Sequence, residues 1–275
     1  MSRVYADINL NAFDTGNFDL HGDREPMRII TQGTSHGNHT YNRFNSSTLV
    51  EVEDVSYLID AGAPANGLMI RANKEFHKLQ AVFITHMHED HTGGLPGVIK
   101  TLLKRPQDNQ HTMVLLPEEN AISPLEGWLK AMHLKWPSSI VSLRPFREGL
   151  IFEDDNITMK AVGNNHIRSA NKQISFSFIL DSFRKRVVFT GDLSHDFSDF
   201  PLIARRETSD ICICEMTHFS PETALPILKE CPIKHLIFNH IHDPWHGKGE
   251  ATLKEIFRSL PYPYTIAHDG DVFEI

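Results

Sequence analysis

Thr85-His86-Met87-His88-Glu89-Asp90-His91-Thr92-Gly93-Gly94 follows directly on the apolar run Ala81-Val82-Phe83-Ile84 and places four candidate metal ligands within six positions. A short apolar run that breaks into polar residues reads as a buried strand leaving its sheet. His86 and His88 lie two residues apart, so an extended backbone can aim both imidazoles at one ion. Asp90 and His91 follow at once, and a turn there directs them toward a second ion close by. Imidazole and carboxylate together suit zinc, iron or manganese better than calcium.

The same arrangement, a polar residue just beyond an apolar strand, recurs along the chain. Asp60 follows Tyr57-Leu58-Ile59, and His166 follows an extended run at 157–162 across Gly163-Asn164-Asn165. Asp192 closes Phe189-Thr190-Gly191-Asp192, and His240 closes Leu236-Ile237-Phe238-Asn239-His240. Loops held at strand ends are where a rigid sheet commonly mounts its chemistry. His242 and His246 compete with His240 for the last place, and the strand-end position favours His240. His36 and His39, in the loop after the first strand, are read either as reaching the cleft or as solvated; His242 and His268 join them as candidate pocket residues.

Outward from these points, strands are expected at 27–30, 47–52, 56–59, 81–84, 112–116, 157–162, 174–180, 186–189, 211–214, 235–238, 264–267 and 272–275. Helices are expected at 65–79, 95–103, 123–137, 222–230 and 249–259. Two halves, each running from strands into strand–helix units, predict an α/β protein: two facing mixed β-sheets with helices on the outer faces, an αββα sandwich. Residues 27–275 read as one domain and residues 1–26 as an N-terminal extension. Residues 104–137, with Trp128, His133 and Trp136, read as a lid, a dimer contact or ordinary helix packing.

Composition narrows the class. The apolar fraction is 40% and no run approaches the roughly 18 apolar residues of a membrane helix. The N-terminus lacks the basic-then-apolar order of a signal peptide, so cytoplasmic residence is the default expectation. A net charge of -8 argues against a basic coat for nucleic acid. Cys212, Cys214 and Cys231 read as small buried hydrophobes rather than ligands or a disulfide.

The stretch His86-Met87-His88-Glu89-Asp90-His91 resembles the His-x-His-x-Asp-His signature of the metallo-β-lactamase fold superfamily. Gly33-Thr34, Asn45-Ser46-Ser47, Leu58-Ile59-Asp60-Ala61-Gly62, Ala267-His268-Asp269-Gly270 and His218-Phe219-Ser220 resemble the branch that holds ribonuclease Z and related phosphodiesterases. The resemblance spans about residues 27 to 275. It implies one metal on His86, His88 and His166, a second on Asp90, His91 and His240, and Asp192 bridging them. Two divalent ions, most often zinc and otherwise manganese or iron, are implied as cofactors. Asp90 also orients the attacking hydroxide, His218 protonates the leaving alkoxide with Glu215 behind it, and Asp60 buttresses the site.

The sequence departs from that branch in ways that bear on substrate. Ribonuclease Z proteins carry a long arm for the transfer RNA body, inserted in the bacterial form between the segments matching His166 and Asp192. Here that interval is 26 residues. Asn239 stands where threonine is usual, and Asp60-Ala61-Gly62-Ala63 lacks the usual acidic residue. The expectation is a dinuclear metal hydrolase of a small or cyclic phosphodiester, with transfer RNA disfavoured and a homodimer open. A lactone or carboxylic ester hydrolase is the alternative, and a non-catalytic metal-binding protein a third reading.

Overall fold

The computed structural model describes residues 25–107, 110–167 and 172–275. The extension read at residues 1–26 lies outside the described residues except for its last two positions. The chain begins with β1 (Arg28–Gly33), β2 (Ser47–Val52), β3 (Val55–Ile59), α1 (Ala65–Arg71), β4 (Leu79–Phe83), α2 (Glu89–Thr92), α3 (Leu95–Lys104), β5 (Thr112–Leu116), α4 (Ile122–Ala131) and β6 (Val141–Pro145). It continues with β7 (Gly149–Glu153), β8 (Thr158–Gly163), β9 (Phe176–Ser182), β10 (Lys185–Phe189), α5 (Leu202–Arg206), β11 (Ile211–Met216), α6 (Pro221–Lys229), β12 (Leu236–Ile241), α7 (Gly249–Phe257), β13 (Tyr264–Ile266) and β14 (Asp271–Glu274).

These strands form two seven-stranded sheets, ordered β14-β1-β2-β3-β4-β5-β6 and β13-β12-β11-β10-β9-β8-β7. Both are mixed: β14 to β3 and β10 to β7 are joined antiparallel, whereas β3 to β6 and β10 to β13 run parallel. The last strand crosses back to close the edge of the first sheet. Phe83, Tyr57, Phe178 and Phe189 belong to the apolar layer shared by the two sheets, while separate clusters pack helices on each outer face. This is the expected sandwich and the metallo-β-lactamase fold.

The parallel strands explain where the polar residues gather. β11 and β12 are buried at every position, so they read as continuous apolar runs, as strands covered on both faces do. Polar groups are therefore excluded from their middles and collect at their carboxyl ends, the place where open α/β sheets bind ligands. The ends of β3, β4, β10, β11 and β12 meet along one seam between the sheets, and the site lies there.

Several expected elements differ in extent. The helix expected at 65–79 stops at Arg71, because Asn73 adopts φ 54° and turns the chain into a short 3-10 turn before β4. The helix expected at 123–137 ends at Ala131, before Pro137. His133 takes φ 57°, and the Leu134 and His133 amides bond back to the Leu129 and Lys130 carbonyls, a Schellman cap. Leu129 and Leu134 are buried on the first sheet, and Trp128 is exposed. The sequence reading also missed β6 and β7. Both are sheet edges, where Pro145, Arg144 and Glu153 are tolerated and blur the alternating pattern.

Candidate metal centre

His86 follows β4 through Ile84 and Thr85, and His88, Asp90 and His91 complete the turn into α2. His88 Nδ1 lies 2.9 Å from His86 Nε2 and 3.1 Å from His166 Nε2. Asp192 Oδ2 stands 3.6 Å from both of those Nε2 atoms. On the other side, His240 Nε2 is 3.2 Å from His91 Nε2 and 3.0 Å from Asp90 Oδ2. Asp192 Oδ1 is 3.3 Å from His91 Nε2 and 3.6 Å from His240 Nε2. Two donor groups thus share one carboxylate, each taking one of its oxygens.

These spacings suit metal ions. A tetrahedral site with bonds of about 2.0–2.1 Å separates its donors by roughly 3.3 Å, and the distances above bracket that value. Asp192 Oδ1 is fully buried and accepts no hydrogen bond among the described residues, an arrangement that costs free energy unless a cation partners it.

The tautomers are set from behind. Asp60 Oδ2 accepts from His91 Nδ1 at 2.7 Å, which turns Nε2 toward the second donor group. Thr85 Oγ1 donates to the Asp60 carboxylate, so it accepts from His86 Nδ1 at 3.1 Å. Thr217 Oγ1 donates to the His240 carbonyl and accepts from His240 Nδ1 at 3.0 Å. Hydrogen bonds of this kind fix ligand orientation in metal sites. Neither Thr85 nor Thr217 was picked out from sequence. Thr85 was legible beside His86, but Thr217 lies 23 residues from its partner.

Charge follows the same layout. Burial, with His91 beside it, holds the His86 imidazole well below its usual pKa, and burial lowers His166 too, so both offer lone pairs at neutral pH. Burial opposes the charge on His91, but Asp192 and Asp60 outweigh it and raise its pKa well above the usual value. Burial would raise Asp90 and Asp192; the imidazoles around them outweigh it and hold both low. A cation entering beside His91 therefore displaces a proton.

His218 stands beside both groups, its ring centroid 4.5 Å from that of His166 and 5.7 Å from that of His240. Its Nδ1 is 3.0 Å from each Glu215 oxygen. Burial opposes its charge, yet Glu215 raises its pKa to about 9. A cavity of about 460 Å³ opens beside His218 and His166, lined also by Asn165, Leu193, Ser194 and His195. His195 and Asn165 were not singled out from sequence as lining residues.

The backbone carries strain at this seam. Asp60 and His240 adopt φ 57° and 50°, unusual for residues with side chains. Gly191 has φ 57°, and a Cβ there would lie 2.6 Å from the Phe176 carbonyl oxygen. At Gly62 a Cβ would lie 2.2 Å from the Asp90 carbonyl oxygen, so the β3–α1 turn packs directly on the backbone of the ligand turn.

The remaining pocket candidates form the rim. His36 Nδ1 accepts from the Asn38 amide, and its Nε2 is 3.1 Å from Asp243 Oδ1. His39 Nδ1 lies 2.6 Å from Asn45 Oδ1, and His268 Nε2 lies 2.8 Å from Glu250. His242 is exposed with its ring 5.2 Å from His36, while His246 bonds the Ile241 carbonyl. Of His240, His242 and His246, only His240 enters the donor groups. Asp269 ties the rim loop down by accepting from Thr34 N, Thr34 Oγ1 and Phe44 N. Buried Arg43 donates to Thr34, Ala267 and Glu250.

Comparison with known proteins places this geometry among relatives. The family model described as Anti-Pycsar protein Apyc1 matches residues 27–224. A ribonuclease Z of Parasynechococcus marenigrum (strain WH8102) is 29% identical over 150 residues, covering 51% of this chain and 46% of that protein. The chain thus spans about half the length of the curated relatives it matches. The metallo-β-lactamase fold protein YhfI from Bacillus subtilis superposes with a TM-score of 0.73 at 19% identity, over 91% of this chain and all of that one. A diphosphatase of the PhnP family superposes with a TM-score of 0.67 at 19% identity, over 90% of this chain and 98% of that one.

Proposed function

This chain belongs to the Anti-Pycsar protein Apyc1 family, and we propose that it is a dinuclear metal hydrolase cleaving a small phosphodiester, with cyclic phosphodiesters such as cyclic nucleotides the favoured class. The observation that carries the proposal is the Asp192 carboxylate, split between two donor groups with the His218–Glu215 pair alongside. In this reading His86, His88 and His166 would hold one divalent ion and Asp90, His91 and His240 the other, with Asp192 contributing to both groups. Zinc fits the imidazole-rich set best, with manganese or iron as alternatives. When bound, such a pair supplies a water activated at neutral pH and a Lewis-acid clamp on the phosphoryl group.

The chain's own residues do the rest. Asp90 holds its carboxylate against His91 and His240 and orients the attacking oxygen. Glu215 keeps a proton on His218 Nδ1 and raises the proton affinity of the ring, so His218 protonates the departing alkoxide. The cavity of about 460 Å³ beside His218 falls within the size range of small-molecule sites.

A small substrate is preferred to transfer RNA on two grounds. The interval between His166 and Asp192 holds β9 and β10, and the chain carries net charge -8. The name of the ribonuclease Z relative speaks for phosphodiester chemistry, and that relative is about twice as long as the matched region.

The test is hydrolysis of bis(p-nitrophenyl) phosphate, then of 3′,5′-cyclic nucleotides, by protein reconstituted with zinc or manganese, with His88→Ala as blank. Metal-dependent turnover absent from the blank supports the reading. No turnover in protein shown to hold two ions overturns it and moves the assignment to lactones or carboxylic esters.

A further inference from the structure

Against the donor group of Asp90, His91, Asp192 and His240, and walled in part by His91, Asp192 and His240 themselves, the two sheets leave a second and much smaller chamber of about 30 Å³. Its walls come from both halves of the fold. Ser46, Thr48 and Asp60 line it from the first sheet; Thr190, Glu215 and Asn239 line it from the second. Asn239 is 5% exposed, and its Oδ1 is buried with no hydrogen-bond partner among the described residues. Asn239 pairs in register with Glu215 across β12 and β11. Asp60 and Glu215, each 3% exposed, are the carboxylates beneath His91 and His218.

We propose that this chamber is a built site for one or two ordered waters, anchored by Asn239, that joins the carboxylate behind His91 to the carboxylate behind His218. The volume is right: a water needs roughly 10–15 Å³ of such space, so about two fit. The chemistry is right as well. A buried water makes about three hydrogen bonds. Here the first water donates to Asn239 Oδ1 and to the Asp60 carboxylate and accepts from a Ser46 or Thr48 hydroxyl, and the second donates to the first and to the Glu215 carboxylate. An amide oxygen left without such a partner at this depth is unfavourable. An apolar filling of the same space, or an empty chamber, would leave the Asn239 amide oxygen without a partner.

Asn239 is then a positioning residue. It touches neither ion nor substrate; it holds the water that sets the two carboxylates, and through them the orientation of His91 and His218. The inference rests on the chamber and its lining and stands apart from the choice of substrate.

The test combines a crystal structure at a resolution that shows ordered solvent with metal-release kinetics on the reconstituted protein. The wild-type map is expected to show one or two peaks in the chamber, one within hydrogen-bonding distance of Asn239 Oδ1. Asn239→Leu keeps the volume and removes the acceptor; it is expected to lose that peak and to release an ion to chelator about tenfold faster. Asn239→Thr, which keeps a hydroxyl, is expected to restore both the peak and slow release. A wild-type chamber without solvent density overturns the proposal. So does a peak with the short contacts of a cation, or wild-type release from Asn239→Leu. If Asn239→Leu fails to fold, the wild-type map and the threonine variant decide.

Discussion

His218 Nδ1 lies 3.0 Å from both carboxylate oxygens of Glu215, a carboxylate that also accepts the backbone amides of Leu193, Thr217 and His218 itself. The glutamate is fixed by the backbone of two loops, so the histidine is held as much by the fold as by the ion pair.

That relationship sets a pH dependence. In metal-free protein His218 is expected to titrate near 9, above the ordinary 6.5. Its folded pKa is raised, so the stability it contributes is complete below about 6.5 and is lost as pH rises through about 9. Proton NMR of the imidazole checks this. Glu215→Gln should bring the titration down substantially, because burial then acts with less opposition; an unchanged value would disprove the pairing.

Removal of the imidazole should depend on the leaving group. His218→Ala is expected to cost roughly 10²–10⁴ in kcat on an alkyl phosphodiester and far less on a p-nitrophenyl ester, whose phenolate departs unaided. Steady-state kinetics on the two substrates gives the comparison. Equal losses on both would show that His218 does not serve the leaving group.

In the proposed two-ion reading, the Asp192 carboxylate should matter to both ions, and Asp60 to one. Asp192→Asn is expected to reduce bound metal sharply in both groups. Asp60→Asn should leave His86 and His88 competent while weakening the ion beside His91 by about 10- to 100-fold. Metal content after dialysis, with chelator competition, separates the two outcomes.

Gly62 gives a purely steric prediction. A Cβ there lies 2.2 Å from the Asp90 carbonyl oxygen, so Gly62→Ala must displace backbone. A loss of about 3 kcal/mol or more is expected, read by chemical denaturation of the metal-loaded protein. A wild-type midpoint would mean the ligand turn can give way.

Much of this was readable from the chain. Apolar runs such as Leu236–Phe238 announce strands buried on both faces, and His240 or Asp192 at their ends announces the seam. Edge strands β6 and β7 were invisible, because an edge tolerates Pro145 and Arg144 that would betray a central strand. Thr217 and Arg43 were equally silent. A lone hydroxyl or guanidinium has no spacing signature, and its role appears only once β11 lies beside β12 or the rim loop meets Glu250. The helix end at His133 was misread for a related reason: a left-handed residue stops a helix without the proline or glycine that usually marks it.

The seam has a mechanical consequence. His86, His88, Asp90 and His91 belong to the first sheet's half, and His166, Asp192 and His240 to the second's. Neither half carries a full donor set, so ions held as proposed would rivet one half of the chain to the other. Any ligand that binds only the closed form resists opening, by about 2.7 kcal/mol at a hundredfold excess over its Kd. Stripping the ions should therefore loosen the molecule first along the line where the sheets face each other, while each sheet keeps its own ladder.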